Sequence, residues 1–361
     1  MSEIVIGIVV FFFTVGALDK AFFDGKYGYG EEFVKGLNTM GPLALMMVGI
    51  MCAAPAIGYY LSPVLAPFFT AIGSDPGMLA GLFIGVDAGA LPLAKSLAIH
   101  PETVDLSALA FGGTLGATLT FAVPLSLSMC QEASRPYVAK GLVAGIIATP
   151  ASLVGVALVQ GYSLMTTFQL GLPGIVVALV LALCLVLWRD ATIRAFLKFS
   201  KILVAILVLM LLVATIQHYY PIEIVPHMDR IEPQLSIVGL IGVMLAGAYP
   251  MVLFVRRHLS KVIAAVARLI GVDENAALGM AVSMANPIPM YSMLDSMSNR
   301  GKILCSAFSA PVLCLLGDHL GFATAAYPEG VSALLVGKLL AAFVALGLAI
   351  LFEKTSPASK N

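Results

Sequence analysis

Apolar runs of about 18 residues or more recur along this chain from one end to the other. That pattern constrains the fold more than any other feature, because such runs are the length of membrane-crossing helices. Of the 361 residues, 60% are hydrophobic and only 11% charged, where a soluble domain carries roughly a quarter. Mean hydropathy is +0.99. The expectation is an all-α polytopic membrane protein. Net charge is zero, which gives nucleic-acid binding no support. The first twenty residues, MSEIVIGIVVFFFTVGALDK, lack a basic leader and a small-residue cleavage site, and read as a retained helix. The five cysteines lie in or beside apolar runs with no CxxC or Cys/His cluster, and read as small buried hydrophobes. No cofactor or metal is expected.

Eleven apolar elements can be marked, at about 3–18, 38–60, 77–99, 104–129, 137–160, 166–188, 195–217, 235–255, 275–297, 302–326 and 331–353. Loops between them are short. The whole chain reads as one membrane domain with an internal repeat. LSPVLAPFFTAIGSDPGMLAG (61–81) aligns without gaps to LSKVIAAVARLIGVDENAALG (259–279), with eight of 21 positions identical. Pro55 then corresponds to Pro250, Asp87 falls within one residue of Asn286, and Gly113 and Pro124 correspond to Gly317 and Pro328. Repeat 1 spans 1–160, a connecting helix 161–194 and repeat 2 195–353, followed by a polar tail at 354–361.

Charge decides between parallel and inverted copies. If all eleven elements span, loop Lys and Arg divide almost evenly between the two sides. Elements 3 and 9 contain breakers at their centres, VDAGALP and ANPIP. If both are re-entrant hairpins and the N-terminus is outside, seventeen of the twenty Lys and Arg fall on the cytoplasmic side and only Lys95 and Arg230 outside. Lys338 lies within element 11. The same assumption makes the repeats inverted. The expected architecture is about nine spanning helices plus two re-entrant hairpins, with eleven plain spans as the alternative.

The polar residues inside the apolar elements define a candidate site. Asp87 sits in the first tip, VDAGA, beside Gly89. An ionised carboxylate at mid-membrane costs about 2.5–3.5 kcal/mol on insertion scales and is retained for a cavity, a partner or a substrate. Asp87 could instead, or also, cap the second half-helix. Asn286 is its neutral counterpart in SMANPIPMY, where Pro287 and Pro289 forbid a continuous helix. Asp318 and His319 stand together in LGDHLG. They form either an internal ion pair with Lys338 or a substrate or proton site. Thr114 and Thr118 share element 4 with Gly112 and Gly116, which suits close helix packing as well as substrate contact. Tyr249 and Tyr291 are rings beside breakers that either pack or face an organic cation. Asp295 faces polar surroundings or pairs with Arg300. No Walker A, GxGxxG, HExxH or GxSxG pattern occurs.

In order and spacing, GAYPMVL (247–253), ANPIPM (285–290), RGKILCSAF (300–308), LGDHLGFA (316–323) and VGKL (336–339) resemble the ethanolamine-utilization transporter family, EutH. The resemblance covers roughly 38–345. It implies a bacterial inner-membrane permease that brings ethanolamine into the cytoplasm for breakdown inside a protein-shelled microcompartment. Ethanolamine is a protonated amino alcohol near neutral pH, so its carrier should offer a carboxylate or an aromatic face to the ammonium and a polar group to the alcohol. Asp87, Asn286, Asp318 and the two tyrosines are of those types. The competing readings are an ion-coupled carrier of another small polar solute and an intramembrane enzyme using Asp318 and His319 as acid and base. The bilayer and the small solute are the expected partners, and a homo-oligomer is left open.

Overall fold

A computed structural model describes residues 2–258, 265 and 269–354, and all the regular structure in it is helical. Much of the repeat block 259–279 and most of the polar tail lie outside the described residues. Among the described residues, eight helices are long and apolar enough to cross a membrane. The chain is therefore a multi-pass membrane protein.

The elements follow the apolar runs closely. Helix α1 is Ser2–Phe23, α2 Tyr29–Asn38 and α3 Met40–Ala71. A broken pair follows, α4 (Met78–Phe83) and α5 (Ala90–Leu97). The next crossing, Pro101–Met129, starts as α6 (Pro101–Asp105), widens to i→i+5 hydrogen bonding over Leu106–Gly116 and Thr118–Ala122, and ends as α7 (Val123–Met129). Helices α8 (Arg135–Ala148) and α9 (Ala151–Gln160) complete the first half. Then come α10 (Leu164–Leu187), α11 (Arg189–Tyr219) and α12 (Ile231–His258). The second broken pair is α13 (Glu274–Ser283) and α14 (Pro287–Met293). The chain closes with α15 (Asn299–Val312), α16 (Asp318–Ala326) and α17 (Val331–Lys354).

Three features depart from the expected elements. Helix α2 is an extra amphipathic helix, and α3 runs on to Ala71 past Pro55, Pro63 and Pro67. Element 10, expected as one helix, breaks at 313–317, where Cys314 takes a left-handed backbone (φ 54°). Of the nine expected crossings, this one is therefore two half-helices.

Both broken pairs are hairpins whose ends lie side by side. Asp75 shows this for the first. One of its oxygens accepts from Gly77 N at 2.8 Å, and the other accepts from Ile99 N at 2.9 Å and His100 N at 2.7 Å. A chain that enters at 75 and leaves at 99–100 has turned back. Asp273 does the same for the second. It caps α13 through Ala276 N at 3.0 Å and accepts from Ser298 N and Oγ at 3.0 and 2.6 Å. These two aspartates are equivalent positions of the 61–81 and 259–279 blocks. The hairpins enter from opposite ends of Pro101–Met129. His100, at its start, touches the base of the first, while Gln131, just past its end, donates to both oxygens of Asp295 at 3.1 Å, near the base of the second. Of the two alternatives for Asp295, the pair with Arg300 does not form, and Arg300 pairs with Glu353.

Packing sorts the helices into two bodies. The hairpins, Pro101–Met129, α8, α9 and α15–α17 pack on one another, with Gly141 and Gly145 of α8 against α15 and Gly155 of α9 against Gly337 of α17. Helices α1–α3, α11 and α12 form the other body, and the two are in broad contact where α16 packs on α12 and α5 on α3. Pro101–Met129 is almost wholly buried, while few residues of α11 are fully buried.

Candidate functional site

Each hairpin tip docks on a neighbour that has itself lost regular α geometry. In the second, Cys314 N donates to Ser283 O at 3.1 Å and Leu316 N to Met284 O at 2.6 Å. Backbone freed by one break thus satisfies the other, as buried backbone in a membrane must. Gly317 is required there, since a Cβ would collide with the Ala285 carbonyl. In the first, Ile84 O and Gly81 O lie where a Cβ on Gly116 would stand, within the widened helix.

Between these tips and the second body lies a cavity of about 310 Å³. Its charged and titratable lining, Asp87, Cys314, Asp318 and His319, comes from the hairpin body, except for Tyr249 of α12. Asn286 lines it as well. Helices α3 and α11 contribute a mostly apolar wall, with Met46, Met47, Leu203 and Val204, relieved by Ser200. Thr39, just before α3, and Thr120 add hydroxyls. Behind Tyr249 and Asn286 a second cavity of about 260 Å³ is lined by Glu32, Lys35, Arg256 and Pro289. Tyr249 and Asn286 line both cavities and form the partition between them.

A buried polar chain runs away from the cavity. Asp87 Oδ1 lies 3.3 Å from His319 Nε2, and His319 Nδ1 lies 2.7 Å from Lys338 Nζ. Lys338 also donates to the Gly113 carbonyl. His319 is 1% exposed and Lys338 0%. A charged ammonium only donates, so with Lys338 protonated the imidazole accepts at Nδ1 and carries its proton on Nε2, toward Asp87. The adjacent Asp318 is different. Its Oδ1 is buried without a hydrogen-bond partner, and its Oδ2 receives only a 3.9 Å contact from Cys314 Sγ.

The structure brings Asp87, Asn286, Asp318, His319 and Tyr249 to one cavity and Pro289 to the next. The capping alternative for Asp87 is not seen. The residue before α5 is Gly89, with no side-chain cap, whereas Asn286 does cap α14 through Ile288 N at 3.0 Å. Gly89 serves the backbone, with φ at 110° and Ile50 where a Cβ would go. Thr114 and Thr118 lie outside both linings. Thr114 bonds Ala110 O at 2.6 Å, and Thr118 bonds Ala310 O of α15 at 2.8 Å. Tyr291 is buried in the core, its hydroxyl unpartnered. Of the Asp318–His319 pair offered to Lys338, only His319 meets it. Thr39, Ser200 and Cys314 were not among the sequence candidates, because the lining is assembled from elements far apart in the chain.

The family profile described as "Ethanolamine utilisation protein, EutH" matches residues 1–352. A Listeria monocytogenes protein named "Probable ethanolamine permease EutH" is 35% identical over 97% of this chain and 94% of its own length. The Escherichia coli protein of the same name is 34% identical over 97% of this chain and 95% of its own. A Bacillus subtilis relative, "Uncharacterized protein YxeR", is 32% identical over 94% of this chain and 91% of its own. No solved structure matches the chain. Two opposed hairpins meeting at a carboxylate-lined cavity are thus carried by a chain that belongs to the EutH family of ethanolamine utilisation proteins.

Proposed function

We propose that this chain is a permease that admits ethanolamine, as its ammonium form, across the bacterial cytoplasmic membrane. The observation that carries the reading is the buried, partnerless Oδ1 of Asp318, a residue that lines the cavity together with Asp87. A carboxylate oxygen without a donor in a low-dielectric site is costly unless a cation visits it. An ammonium between Asp318 and Asp87 supplies the missing donors, and Asn286, Tyr249 or Thr39 lies on the same lining to meet the alcohol. The names of the relatives support the same substrate. A carrier matters because the neutral amine leaks through lipid while the cation does not.

The opposed hairpins, closed by equivalent aspartates, support two inverted repeats with the substrate where their tips meet. Tyr249 and Asn286 then form the inner gate, since Lys35 and Arg256 behind them mark the cytoplasmic side. An anionic substrate is disfavoured by two carboxylates on the lining. An acid–base enzyme is disfavoured because the relatives are named as permeases. The test is uptake of labelled ethanolamine into proteoliposomes at pH 6. Saturable accumulation of unmodified ethanolamine above that of protein-free vesicles is expected. Uptake equal to that of empty vesicles, or conversion of the label to another compound, would overturn the reading.

A further inference from the structure

Lys338 is the buried charge that substrate contact leaves unexplained. It lies in the first half of an apolar helix and does not line the cavity. Among the described residues no carboxylate oxygen comes within ion-pair distance of it, and its partners are a carbonyl and a ring nitrogen. Those are dipoles, not countercharges. The nearest link to a carboxylate is through the imidazole to Asp87. A cation held by a main-chain carbonyl at a distorted helix is the kind of arrangement in which a carrier binds a monovalent coupling ion. Here a covalently attached ammonium fills the place, and such a cation can come and go only as a proton.

We infer that Lys338 and His319 form a proton-exchange site that gives up a proton when the substrate cation binds. This rests on the permease reading above. The step balances as follows. His319 passes its Nε2 proton to water in the cavity, while Nδ1 takes a proton from Lys338. The ring keeps one proton throughout, Lys338 becomes a neutral amine that accepts from Nδ1, and one proton leaves the protein. An ethanolammonium arriving at Asp87 favours this step, because it brings a second positive charge to the carboxylate that balances Lys338. It also competes with Nε2 for the Asp87 oxygen.

The neighbouring elements leave few other groups to titrate. From the tips, Asp87, Cys314, Asp318 and His319 face this region. Helix α9 and the 106–116 stretch carry no titratable side chain. On α15, Cys305 is buried and Arg300 pairs with Glu353 at the far end of α17. On α8, Arg135 and Tyr137 lie in the first turn, and Lys140 lies beside Phe352 at that same end. Lys302 sits over Tyr137.

The test is calorimetry of ethanolamine binding to the detergent-solubilised protein, in buffers of different ionisation enthalpy between pH 5.5 and 8.5. The wild type should release up to about one proton per ethanolamine bound within that range, with equal affinity in sodium and potassium salts. Lys338→Gln should bind without proton release. His319→Gln keeps a polar side chain but cannot relay a proton, so it should also release none, which covers the case in which Lys338→Gln does not fold. Wild-type binding with no proton change at any pH would overturn the inference, as would wild-type release from either variant or a requirement for sodium. Absence of any ethanolamine binding by the wild type would instead overturn the permease reading itself.

Discussion

Asp87, Asn286, Asp318 and His319 were legible in the sequence because a polar side chain inside an apolar run is expensive and stands out. Their partners were not. Lys338 is nineteen positions from His319, and which of two adjacent polar residues it meets depends on a helix start that no local signal announces. Thr114 and Thr118 looked like cavity residues because element 4 is polar there, but each hydroxyl is spent on a carbonyl. Gly89, which stands beside Asp87 in the first tip, is required by the backbone. Gly89→Ala should therefore destabilise the protein by about 1–3 kcal/mol through a strained left-handed residue, with the Ile50 contact adding to the loss. Thermal melting in detergent checks this. A melting temperature equal to that of the wild type would mean the tip can adopt another shape.

The two hairpins were predicted from breakers and charge asymmetry, and their closure is now visible at Asp75 and Asp273. What the sequence did not announce is that each tip rests on a second distortion, the widened helix before Gly116 and the break at 313–317. Gly317 and the aspartate after it mark the latter break only once the tertiary contact to Ala285 is known. The clasps carry their own prediction. Burial alone would raise the Asp273 carboxyl, but hydrogen bonds from Ser298 and Ala276 hold it below the usual carboxylate range. A group so depressed stabilises the fold above its unfolded value, and that contribution is lost as pH falls through the folded value. Hydrogen exchange of α13 should accelerate as pH drops below about 4, beyond the intrinsic change. Asp273→Asn should show the faster exchange already at neutral pH. Equal protection in variant and wild type would remove the clasp role.

At the scale of the molecule, composition alone was enough for an all-helical membrane protein, because nothing else accommodates so many apolar runs. The division into two bodies was not legible, since it depends on which helices pair. It has a consequence for transport. The hairpin body carries the ionisable groups of the main cavity apart from Tyr249, while α3 and α11 offer a largely apolar wall. In the permease reading the cation is therefore held by the hairpin body. This places the whole demand for charge on Asp87 and Asp318. The concentration dependence of ethanolamine uptake by Asp87→Asn and Asp318→Asn in proteoliposomes, at equal amounts of folded protein, measures that demand directly. A charge-assisted contact is worth about 1.5–3 kcal/mol, so each variant should lose apparent affinity by roughly 10- to 100-fold. Affinities of both variants within about twofold of wild type, less than about 0.5 kcal/mol, would contradict the assignment of the ammonium to this cavity.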